Sequence, residues 1–507
     1  MGDFRHLAGM TFHTLLVGNA INRAWFALIL LGAWVNGQSQ IAWEFDEPVD
    51  VADASFGNRC PKLALDPSGN AVVMWGKSGD GLYVSKQANG VFSSPMLIPT
   101  ESNVFLSDAE GPDLATWGNT LGVAYQLSGQ WDSGARFIRS DDMGETWSSP
   151  AAIAPDATID HFMPIPAFDD DGNPFVALKL GSGNSAQEAV LLSMDGGATW
   201  GEASVASGAA GNGIACECCP SRTIFGNGRY HTIYRRNNSN VRDMWLVSSA
   251  DGWTWDQQLD LDPTDWVIPA CPEDGTSSSW LPDGQLCSVF RSGADGSSKV
   301  YLNMSDPASN DAGSTIALTA MQFSNPLQAQ PDVATGPDHT VVAWEQNLSG
   351  YEIQLSVASN QELPDALVDV AVPLSEALAG SNRHPDVAVH GHTVHVIWQN
   401  SADGTVKYLR GALTPTTQIN PLQNATTSSN PRLERLGPGL VELRGATPHS
   451  AYRIYNQSGS LLHEGLCLGD GSSRLPSRVT QLATQAILQV HAQTNRGPVL
   501  LRLGIMN

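Results

Sequence analysis

The chain has 507 residues, with 27 Lys+Arg against 51 Asp+Glu and a formal net charge of −24. That length allows a large core and more than one domain. That charge leaves no basic stripe to neutralise phosphates, which excludes nucleic acid as a partner and disfavours docking on anionic lipid.

At the N-terminus, Arg23 precedes a short apolar run from Ala24 to Val35, followed by small and polar residues through Gly37 and Ser39. A run of about 12 residues is too short to span a bilayer and has the build of a cleavable export signal; a buried core helix is the alternative. Residues 1–39 are therefore expected to be a signal region, and the mature chain a secreted or cell-surface monomer without a membrane span. Export permits disulfides among Cys60, Cys216, Cys218, Cys219, Cys271, Cys287 and Cys467, and the odd count leaves at least one thiol over.

From residue 61 onward a unit repeats. It opens with Pro and a short strand, turns at a Gly- or Asp-rich tip, and runs up a second strand that ends near an aromatic. The first copy is Pro61–Leu65, a turn at 66–70, then Ala71–Trp75. Further copies run Pro112 to Tyr125, Pro164 to Leu178, Pro220 to Tyr234, Pro272 to Phe290, Pro331 to Trp344 and Pro385 to Trp398. The strand ends are 50 to 56 residues apart and a second hairpin follows each. About four strands per period of about 50 residues is a propeller blade. The expected fold is all-β: a seven-bladed propeller over 40–413, with six blades as the alternative. The segment Trp43–Val51 is expected to supply the outer strand that the last unit lacks, hiding two sheet edges.

Two octapeptides recur at one place in their units: Ser140-Asp-Asp142-Met-Gly144-Glu-Thr-Trp147 and Ser193-Met-Asp195-Gly-Gly197-Ala-Thr-Trp200, with a shortened copy over 249–255. Asp and Ser side chains that bond a tight turn, Gly at positive φ and Trp packed beneath explain the pattern locally. It fits the Asp-box S-x-D-x-G-x-T-W and resembles the bacterial neuraminidase (BNR) repeats of sialidase-like propellers, over roughly residues 42–413. These boxes are structural turns and support the fold better than any chemistry.

A Thr/Pro/Asn/Ser-rich stretch over 414–430 reads as a linker. Residues 431–507 are β-rich, and 451–462 with 486–490 resemble the C-terminal sorting domain of the type IX secretion system of Bacteroidetes. That resemblance implies secretion machinery as a partner, although the usual lysine-rich last strand is missing. A small β-sandwich-like accessory domain is the other reading.

In antiparallel blades the start of the inner strand and the end of the second strand fall at one end. One channel mouth is therefore expected to gather the residues before each repeat Pro and those after each strand-end aromatic. This places Arg59, Arg235, Arg291 and Arg383 together, where guanidinium groups can bind carboxylates. The sialidase resemblance implies an acidic glycan there, held by three arginines. If the chain is an enzyme, the resemblance implies an exo-α-sialidase-like glycoside hydrolase. Such an enzyme needs a Tyr nucleophile, an activating Glu and an Asp acid. Tyr351 is the one weak nucleophile candidate, and no Glu or Asp stands where the family has them. A non-catalytic adhesion or binding module is therefore an equal reading, as is pairing of the arginines with Glu345, Glu110 or Asp243.

The remaining constellation is Cys216, Cys218 and Cys219 with Cys271 one unit on. It reads either as a disulfide clamp, Cys219 to Cys271, between blades 4 and 5, or as a copper or zinc site. Nearby Met163, His161 and His384 are further soft-metal candidates. Cys287, within a strand, is expected to be a buried core thiol.

Overall fold

A computed structural model describes residues 42–51 and 58–414, except 109, 155–158, 209–213, 320–326, 348–349, 376–377 and 379; beyond 414 it describes only strands within 432–503. The signal region, residues 415–430 of the linker and Cys467 lie outside the described residues.

Seven antiparallel sheets form the propeller. Their second strands are Ala71–Lys77, Thr120–Gln126, Pro174–Leu180, Arg229–Asn237, Leu286–Ser292, His339–Asn347 and Thr393–Asn400. Each of these is apolar on both faces, because each sheet is covered by a neighbouring blade on either side. The core is accordingly divided into seven layers, one per interface. Val72, Met74, Leu121, Val123 and Tyr125 join blades 1 and 2; Trp75, Val73, Ile397 and Tyr408 join blades 1 and 7.

The ring closes with N-terminal chain. Ala42–Phe45 pairs antiparallel with the last strand of blade 7, from Ala42 opposite Thr414 to Phe45 opposite Gly411. Val49–Asp50 continues the pairing at Tyr408 and Lys407. Gly411 is required there, since a Cβ would stand 2.3 Å from the Phe45 ring.

The inner strands are stitched to one another across the channel wall. Asp386 of blade 7 accepts the Leu63 amide of blade 1 at 3.1 Å. Asp332 of blade 6 accepts the Val387 amide at 2.7 Å, and Ser277 of blade 5 the Val333 amide at 3.3 Å. In four blades the residue before the repeat Pro is left-handed: Cys60, Met163, Gln330 and His384, with φ of 49–56°. Each lies in a β-bulge where the ladder skips. A bulge turns the local N–H out of the ladder toward a new acceptor.

Two units depart from the predicted frame. Blade 4's inner strand is Arg222–Gly226 and blade 5's is Thr276–Trp280, so Pro272 stands four residues ahead of its strand rather than at its start. The segment Ile214–Ala215 adds an extra pairing to blade 4. After the propeller, the described strands form a three-stranded and a four-stranded antiparallel sheet. No α-helix occurs among the described residues, and none of their helices is long and apolar enough to cross a membrane.

Candidate functional site at the channel mouth

The axial channel holds a cavity of about 200 Å³ whose lining includes Cys60, Asp108, Gly111, Asp274, Gln330 and His384. Residues before the repeat Pro therefore do ring a mouth in four blades, at Cys60, Gly111, Gln330 and His384. The residues after the strand-end aromatics do not. Gln126, Lys179, Arg235 and Glu345 are at most 3 % exposed and lie between blades. Lys179 binds Glu188 at 2.5 Å and the Ser221 hydroxyl of blade 4 at 2.6 Å. Glu345 accepts the left-handed His384 amide of blade 7 at 3.2 Å. Inward direction is set by the bulged inner strand; a second strand has neighbours on both faces and spends its polar end tying blades together.

The four arginines divide into two pairs. Arg235 is fully buried, and its guanidinium donates to the carbonyls of Asp274, Arg242 and Arg291 at 3.2, 2.8 and 2.8 Å. Burial pulls it down to about 10, with nearby Asp274 opposing. It is a structural tie between blades 4 and 5, and the expectation that it meets ligand at the mouth is corrected. Arg291 lies 3.7 Å from Asp274 and bonds the Pro272 carbonyl. The Trp266 ring has both guanidinium groups against it, at 5.3 and 5.5 Å.

Arg59 and Arg383 come together across the ring closure and remain part-exposed, at 39 % and 35 % of their side chains. Each already holds a carboxylate in bidentate fashion. Arg59 Nε and Nη2 bond Asp108 at 3.0 and 2.9 Å; Arg383 Nε and Nη2 bond Glu345 at 3.1 and 2.9 Å. His384 Nε2 stands 3.6 Å from Asp108, bridging the two pairs. Burial pushes the Asp108 carboxyl up, but the nearby His384 ring and the Arg59 guanidinium outweigh it and hold the group well below the usual carboxylate range. On the same loop, burial and then the charge of Glu273 push Glu110 up. The Tyr351 ring lies under Arg383, 4.3 Å from Cζ to the centroid. Tyr351 is thus part of this cluster. Asp108 and Glu110 entered no catalytic prediction as mouth groups, because they stand about 50 residues from Arg59 on the next blade's loop.

The Asp-boxes lie at the opposite end of the blades. Ser140 Oγ accepts the Gly144 amide at 2.7 Å, and Asp142 takes the amide and hydroxyl of Thr146 at 2.8 and 2.6 Å. The second box repeats this with Ser193, Gly197, Asp195 and Thr199 at 2.8, 2.8 and 2.6 Å. Gly144 and Gly197 have φ of 89° and 93°. Trp147 packs on the core between blades 1 and 2, and Trp200 meets Phe137 edge-on at 5.2 Å.

Residues 119–315 match the family described as BNR repeat-like domain. Within the seven-bladed propeller, then, this stretch is similar to a BNR repeat-like domain. No curated protein matches it by sequence. Among solved structures, Trypanosoma rangeli sialidase in complex with the inhibitor DANA is 10 % identical, covering 91 % of this chain and 89 % of that one, with a TM-score of 0.41. A Penicillium chrysogenum α-L-arabinanase complexed with arabinobiose is 14 % identical, covering 72 % and 98 %, at 0.39. A PL25 ulvan lyase bound to -[GlcA(1-4)Rha3S]- is 12 % identical, covering 72 % and 96 %, at 0.45. These likenesses say nothing of this propeller's chemistry.

Four of the propeller's six cysteines gather at the rim between blades 4 and 5. The sulfur atoms of Cys216, Cys218, Cys219 and Cys271 all lie within 4.8 Å of one another. They approach as Cys216 with Cys219 and Cys218 with Cys271, so the expected Cys219–Cys271 pairing is replaced by another. His161 and His384 take no part in this group. Cys60 is buried at the channel, with its thiol donating to the Ser107 carbonyl at 3.1 Å. Cys287 is a fully buried core thiol, pushed up to about 12 by burial.

Proposed function

We propose that this BNR repeat-like propeller is an exported carbohydrate-binding module whose ligand meets the mouth at Arg59, Asp108, His384, Arg383 and Tyr351. The observation that carries the reading is the pre-paired state of both part-exposed arginines. A guanidinium already bidentate on Asp108 or Glu345 is poorly placed to take a sialic acid carboxylate. The same planar pairs offer alternating donors and acceptors beside an aromatic face, which suits sugar hydroxyls. Export is supported by the apolar run at 24–35, and a sorting role for 431–507 by its resemblance to type IX domains.

The test is binding of the full chain to an array of neutral and acidic glycans. Arg383→Met and Tyr351→Ala are expected to weaken a neutral-glycan signal at least tenfold while the fold persists. Retention of the signal in both variants sinks the reading.

A second reading, glycoside hydrolysis, is favoured by one observation. Glu110 is pushed up beside Glu273, the kind of pair from which a proton donor is drawn. Turnover of a fluorogenic glycoside that is lost in Glu110→Gln supports hydrolysis over binding alone.

A further inference from the structure

The loop 216–219 sits on blade 4. The Cys216 amide donates to the Arg235 carbonyl at 2.7 Å, and the Cys219 amide to the Cys216 carbonyl at 3.4 Å. This curls three cysteines of a four-residue stretch around one point, and Cys271 completes the set from the segment before blade 5. Four thiolates bound to one ion at about 2.3 Å each lie about 3.8 Å apart along the edges of a tetrahedron. The Cys216 and Cys218 sulfurs stand 3.6 Å apart, Cys216 and Cys219 and likewise Cys218 and Cys271 stand closer than such an edge, and all four sulfurs fall within 4.8 Å of one another.

A second observation concerns charge. Arg242 is 9 % exposed, and a guanidinium is always protonated. Its Nη1 donates to Cys216 Sγ at 2.8 Å and its Nε to the Ile268 carbonyl at 3.2 Å. Among the described residues no carboxylate comes within ion-pair distance of it. Glu217 acts on it only at longer range, its carboxylate being bonded to the Gly183 amide. A buried cation without an anionic neighbour is costly. The neutral sulfurs of two disulfides leave that charge uncompensated. Four thiolates on one divalent ion carry a net charge of about −2 and place it against Nη1.

We infer that Cys216, Cys218, Cys219 and Cys271 form a tetrathiolate site for a soft d¹⁰ cation, zinc in the first instance, with Arg242 as its buried counter-charge. Binding of the divalent ion displaces the four thiol protons and changes no oxidation state. The ion joins the entry loop of blade 4 to that of blade 5 at the rim of the channel, independently of whether a glycan binds there.

The full chain, purified anaerobically without chelator, is expected to retain one equivalent of zinc, released stoichiometrically by a mercurial reagent. Reconstitution with Co²⁺ is expected to give thiolate-to-cobalt charge-transfer absorption. Cys271→Ser alters an exposed position and keeps the fold by circular dichroism; it is expected to lower that absorption by about a quarter and to weaken metal retention at least tenfold. Arg242→Gln is expected to weaken retention with all four thiols intact. Failure to hold zinc or Co²⁺ under reducing conditions overturns the inference. So does mapping Cys216–Cys219 and Cys218–Cys271 as disulfides in anaerobically isolated protein.

Discussion

Replacing Lys179 tests the claim that second-strand ends are ties between blades. Lys179 and Glu188 are 1 % and 0 % exposed along their side chains. The ammonium group holds Glu188 at 2.5 Å and Ser221 at 2.6 Å, and Glu188 also accepts from Ser221 and Thr232 at 2.8 and 3.2 Å. Lys179→Met leaves a buried carboxylate with only two hydroxyl donors. Removing one member of such a pair costs about 3–5 kcal/mol. Replacing both by apolar residues costs far less, so Lys179→Met/Glu188→Leu is expected to recover at least about 2 kcal/mol of that loss. Urea unfolding of the four proteins in a double-mutant cycle reads both quantities. A single-variant loss below about 1 kcal/mol, or an additive cycle, means that the pair is solvated, and the tie argument fails.

Ring closure is tested by Gly411→Ala, whose Cβ would meet the Phe45 ring at 2.3 Å; a clash of that kind costs about 1–3 kcal/mol and is expected to lower the melting temperature. In the second Asp-box, Gly197→Ala sets a Cβ 2.3 Å from Phe137 at a φ of 93°, so calorimetry is expected to show a clear loss where Ser182→Ala shows none. His231 and His395 are each pulled down to about 4 by burial. Between pH 6.5 and 4 the unfolded chain binds more protons at these positions. Their stabilisation is therefore whole above pH 6.5 and is lost as pH falls, by up to about 3 kcal/mol each. Asp243, pushed up to about 7 by burial and Asp262, acts with the opposite sign, so the histidine effect is read as the difference between wild type and His395→Gln across that range. A difference that is flat with pH refutes the assignment.

The blade count, the box turns and the closing strand were legible because each is local. A Pro, a tip and an apolar second strand recur within one unit, and Ser140 reaches only to Asp142 and Gly144. The content of the mouth was not, for two reasons. Inner strands carry bulges, and a one-residue skip turns alternate side chains to the other face. Lys62, Asp332 and Asp386 thereby face the channel wall, while Arg235 and Lys179, which follow strand-end residues and were expected at the mouth, are buried between blades. The partners also come from a neighbouring unit: Arg59 finds Asp108 49 residues on, and Arg383 finds Glu345 38 residues back.

A count of arginines along the chain therefore overstates the positive field at the opening. Of the four, one is spent on carbonyls and three face a carboxylate of the protein itself. A mouth of this kind discriminates by geometry more than by charge, because an incoming anion must displace a carboxylate that is already held in place. Asp108→Asn separates the alternatives, since it frees Arg59 while keeping the side-chain volume. If the mouth reads hydroxyl patterns, neutral-glycan binding falls with the lost acceptor. If the arginines are latent carboxylate clamps, the same change raises affinity for sialic acid and steepens its salt dependence. A gain for the acidic glycan refutes the neutral-sugar reading.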